Sequence, residues 1–145
     1  MLKYYDDVRE IRDVGSRRRD EFVYWQHLLE ASSPGSEQRI RGAVNEFVDM
    51  KMRQKGWTSE CWFCSSFIPG TDWTNTPYQP IFNAMSERYG EEPAWNQSRL
   101  FFGLLVKDVM IRRDEHWLCY KVPEEEEIEK GTNYFPDFSV QAMAG

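Results

Sequence analysis

A single compact α+β domain is predicted from three observations. The chain has 145 residues, enough for one domain of ordinary size and too few for two. It is 41% hydrophobic and 15% aromatic, so it can bury a core built on large rings. Segments with helical periodicity alternate with short aromatic runs of strand character.

The first fifteen residues carry no clear pattern and read as a lead-in helix or an arm. Ser16 is placed to cap a helix from about Arg17 to Ala31, with Phe22, Trp25, Leu28 and Leu29 on one face. Ser32-Ser33-Pro34-Gly35 breaks it. Ser36 then caps a second helix whose Ile40, Ala43, Val44, Phe47 and Val48 follow the i, i+3, i+4, i+7, i+8 spacing of a buried face, with Gly56 placed to end it. Residues 61–68 read as an aromatic-rich strand stopped by Pro69-Gly70. A polar loop through Asp72, Trp73 and Asn75 leads to Thr76-Pro77-Tyr78-Gln79, which has the form of a capping box with proline at the first helical position. The helix it starts holds Ile81, Phe82, Met85 and Tyr89 and closes at Gly90. Glu91-Glu92-Pro93 reads as a turn, and a densely apolar helix follows over about Ala94–Val109. Arg112 to Glu115 form a polar break, and His116 to Val122 alternate as a strand ended by Pro123.

From residue 36 this order of helix, strand, helix, helix and hairpin is winged-helix-like. The expected organisation is one domain over residues 1–122, in which a helical segment over 1–35 precedes a winged-helix-like segment over 36–122. An acidic and aromatic tail over 123–145 follows.

Composition narrows the function. No apolar run reaches the ~18 residues of a membrane span, so no membrane role is expected. The net charge of −6 arises wholly in residues 61–145, which hold 7 basic and 13 acidic side chains. Such a chain has no general attraction to phosphate, and DNA contact would need a local patch. Arg17–Arg19, and Arg39, Arg41, Lys51, Arg53 and Lys55, are basic groupings, but acids interleave them as on solvated helix faces. Three cysteines, an odd number, with no signal peptide point to reduced thiols and a cytoplasmic location.

Two classes of binding function emerge. In the first, the chain is a protein-interaction or regulatory module that acts without catalysis. Its contacts would be Trp73 in the polar loop and Glu124, Glu125, Tyr134 and Phe135 in the tail, and surplus apolar surface around residues 100–106 would support a homodimer. In the second, the chain is a winged-helix DNA-binding regulator. Asn96, Arg99, Gly103 and Lys107 form a stripe on the helix at 94–109, and Arg112 and Arg113 supply a wing. Asn and Arg are the side chains that read adenine and guanine edges bidentately, and arginines also hold phosphates.

Cys61-x-x-Cys64 and His116-x-x-Cys119 together contain the ligand set of a Cys₃His zinc site. The bulky Trp62 and Phe63 between the first pair disfavour the tight turn a chelating loop needs, so buried thiols are the simpler reading and no cofactor is expected. Nucleotide-loop, metalloprotease, nucleophile-elbow and EF-hand motifs are absent from the sequence, and the balance leans away from an enzyme.

Overall fold

The computed structural model describes the backbone of residues 9–10, 18–55, 63–64, 73–121 and 132–136, and the side chains of 18–53, 73–117 and Tyr134. Four helices form the body: α1 (Arg19–Ser32), α2 (Ser36–Lys55), α3 (Gln79–Tyr89) and α4 (Glu91–Arg112).

α4 is the axis of the molecule. Ala94, Ser98, Phe101, Phe102, Leu105, Val106, Val109 and Met110 are all buried, and α1, α2 and α3 all pack on it. Phe101 meets Phe22 edge-on at 5.8 Å and Trp25 at 5.9 Å, which seats α1. Phe102 meets Trp73 edge-on at 5.6 Å and Tyr78 at 4.8 Å, which seats the loop before α3. Trp25 and Leu29 from α1, Ile40, Val44, Val48 and Met52 from α2, and Ile81, Ala84 and Met85 from α3 complete the helical core. Each such side chain taken from water stabilises by roughly 1.5–3 kcal/mol against the entropy of ordering it. The Trp25 indole N–H also donates to the Tyr89 hydroxyl at 3.0 Å, tying α1 to α3 at a polar point.

The fold class is therefore corrected: the body is all-helical, not α+β, and the winged-helix-like expectation is overturned. Sixteen of the twenty buried hydrophobic residues described lie on the four helices. Strand pairing is confined to short stretches: β1 (Arg9–Glu10), β2 (Phe63–Cys64), β3 (Trp117–Lys121) and β4 (Thr132–Pro136). They pair antiparallel in the order β1-β3-β4-β2, and two of them are only two residues long, well short of the five to six usual for a sheet strand. Among the described side chains they add only Trp117 and Tyr134 to the core. The expectation fails because it gives the aromatic runs a structural layer of their own. α4 is instead covered by α1, α2 and α3, which supply most of the core among the described residues.

Boundaries differ in instructive ways. α4 begins at Glu91, so Glu91-Glu92-Pro93 is its first turn rather than a connecting turn. Proline needs no N–H partner there, and the two acids suit the positive end of the helix dipole. The joint with α3 is Gly90, whose φ of 89° and ψ of 159° lie in a region essentially reserved for glycine. α4 also runs through Arg112, so the start of the polar break is its last turn. α1 starts at Arg19 with no side-chain cap, and Ser16 lies outside the described residues. Ser36 opens α2, but its buried hydroxyl makes no hydrogen bond. The first turn of α2 is held instead by Glu37, which accepts from Gln26 at 3.0 Å and Arg41 at 2.9 Å. At α3 the Thr76 hydroxyl accepts from the Tyr78 N–H at 3.2 Å, while Gln79 reaches back to the Asn75 N–H at 3.1 Å. These bonds order the loop before α3 but are not the expected capping box. The N-cap is Tyr78, which has no side-chain cap, Thr76 and Pro77 precede the helix, and the proline of its first turn is Pro80. Among the described residues, no helix is long and apolar enough to cross a membrane.

Candidate functional site

Burial divides the expected contact residues. Trp73, expected as a partner contact, is buried at 5% exposure against Phe102 and belongs to the core. Tyr134, also expected as a partner contact, is likewise buried: it is 1% exposed, and its strand β4 pairs with β3. Neither ring can meet a partner without leaving the interior. Glu124 and Glu125 lie outside the described residues, and Phe135 is described only in its backbone, as a residue of β4.

The stripe on α4 is at the surface. Asn96 is exposed, and Arg99, Gly103 and Lys107 are half-buried along the same side of the helix. An added Cβ at Gly103 would meet nothing within 4 Å, so the helix borders open space there. Beside the stripe stands Trp95, 44% exposed, with the Arg99 guanidinium 4.8 Å from its ring centroid. Reading the sequence alone misses Trp95, because a tryptophan at the start of an apolar helix reads as core. The available signal is its i, i+4 spacing to Arg99, which predicts cation–π stacking on one face.

Arg112 and Arg113 are occupied by carboxylates. Arg112 is 72% exposed on its side chain and bonds Asp108 at 3.0 Å. Arg113 is 12% exposed and is held from three sides, by Asp49 at 2.6 Å, Glu115 at 2.8 Å and the Asn45 side-chain oxygen at 2.7 Å. Burial alone would lower its pKa, but bonds to Asp49 and Glu115 raise it above the ordinary arginine value. Asp108 is itself shared between Arg112 and Arg41, the latter at 2.8 Å. Burial pushes the Asp108 carboxyl up, and the two arginines together hold it below the ordinary range. Arg41, Asn45, Asp49, Arg112, Arg113 and Glu115 line an open groove of about 410 Å³ between α2 and the end of α4. Its cations are paired with Asp49, Asp108 and Glu115, so the groove is a clamp joining two helices rather than a free anion site.

The expected zinc ligands are only partly visible. Cys61 lies outside the described residues, and Cys64 and Cys119 are described in backbone alone. Cys119 pairs in register with Tyr134, and Cys64 with Asn133, so the two cysteines sit on adjacent rows either side of β4. His116 is half-buried immediately before β3. Among the described residues, no three His, Cys, Asp or Glu side chains converge as a metal site would require.

On α4 the described surface therefore offers for binding an exposed tryptophan stacked by an arginine, next to a polar stripe. The chain matches no protein-family model, no curated protein and no solved structure.

Proposed function

We propose that the chain is a protein-interaction module that acts without catalysis, in a reducing cytoplasm, through the exposed side of α4. The observation that carries this reading is the Trp95–Arg99 pair. Tryptophan and arginine are the residues most enriched where interfaces concentrate their binding energy. Here both stand on a helix fixed by its buried face, so little ordering entropy opposes docking. Contact with DNA through Asn96, Arg99 and Lys107 is the competing reading. It is disfavoured because the neighbouring arginines, Arg112 and Arg113, already serve Asp108, Asp49 and Glu115.

The test compares the full chain with Trp95→Ala in affinity capture, beside anisotropy titrations with mixed-sequence duplex DNA at about 50 mM and about 200 mM salt. Stoichiometric retention of a protein, lost in Trp95→Ala while the helical circular dichroism is unchanged, supports the reading. DNA binding that weakens steeply with salt and is lost in Arg99→Ala replaces it with the nucleic-acid reading.

A further inference from the structure

We draw no further inference here: the strongest candidate, the surface patch where Val23 and Tyr24 stand exposed on α1 and Arg88 of α3 donates to the Tyr24 hydroxyl at 2.8 Å, carries nothing because nothing in the structure shows what covers it.

Discussion

Tyr78 is 5% exposed and packs at 4.8 Å against Phe102, and its phenol pKa is pushed up from 10.0 to about 12 by burial first and the Glu46 charge second. The group is neutral in the folded protein and ionises more easily when unfolded. Its contribution is therefore whole below pH ~10 and lost as pH rises from there toward 12, a loss of about 2 to 3 kcal/mol. Urea denaturation between those pH values should show a shallower decline in Tyr78→Phe than in the parent, because phenylalanine keeps the ring contact and cannot ionise. Asp108 works with the opposite sign. Its pKa is lowered in the folded state, so its contribution is present above the ordinary carboxyl range and lost as pH falls below about 4. Asp108→Asn should be less stable at pH 7 and lose less on acidification, read as Tm against pH. An apolar pattern locates buried residues such as Ile81 and Met85, but it reveals neither the burial of Tyr78 nor that Arg113 is held by Asp49, 64 residues earlier. That is why the arginines near residue 112 look available to a ligand when only the sequence is read.

Among the elements, those with a self-contained pattern are the most legible. α2 is expected from residue 36 to about 56 and runs Ser36–Lys55, because five apolar residues at helical spacing and a flanking glycine leave little choice. α4 is legible in its middle and misread at both ends. Glu91-Glu92-Pro93 suits a first helical turn as well as a connecting turn, and only Gly90, at φ 89°, decides between them. Two substitutions separate these uses of glycine. Gly42 lies within α2 with nothing within 4 Å of an added Cβ, so Gly42→Ala should stabilise by about 0.5 to 1 kcal/mol through helix propensity. Gly90→Ala forces a side chain into a conformation reserved for glycine and should destabilise by about 1 to 3 kcal/mol. Chemical denaturation midpoints of the two variants should move in opposite directions. The exposed stripe on α4 is also legible, because the 3.6-residue period places Asn96, Arg99, Gly103 and Lys107 together. Trp95 is not, since hydrophobicity alone cannot say which side of a nearly all-apolar helix is left uncovered.

At the scale of the whole molecule, the class is misjudged from sequence because core is a shared resource. Read segment by segment, the aromatic runs at 61–68 and 116–122 look able to build a layer of their own, and they do contribute β2 and β3 to a short sheet. In the folded chain α1, α2 and α3 have already closed around α4, and Phe101 and Phe102, which suggest surplus apolar surface, are spent inside. The same sharing fixes the role of the far end of the chain. Residues 123–145 look detachable in sequence, with four consecutive glutamates at their start. Yet Tyr134 is 1% exposed in the same cluster as Trp25, Phe102 and Trp117, and β4 is the partner of both β3 and β2. Deleting 123–145 should therefore cost more than a solvated tail would. Removing one buried aromatic side chain of this size destabilises by about 3 to 5 kcal/mol, against a total of about 5 to 15 kcal/mol for an ordinary domain. The truncated chain and Tyr134→Ala should both unfold at markedly lower urea concentration than the parent, with the truncation at least as severe because it also removes the β4 pairing. An unchanged midpoint in the truncated chain would mean that the helices close the core without Tyr134.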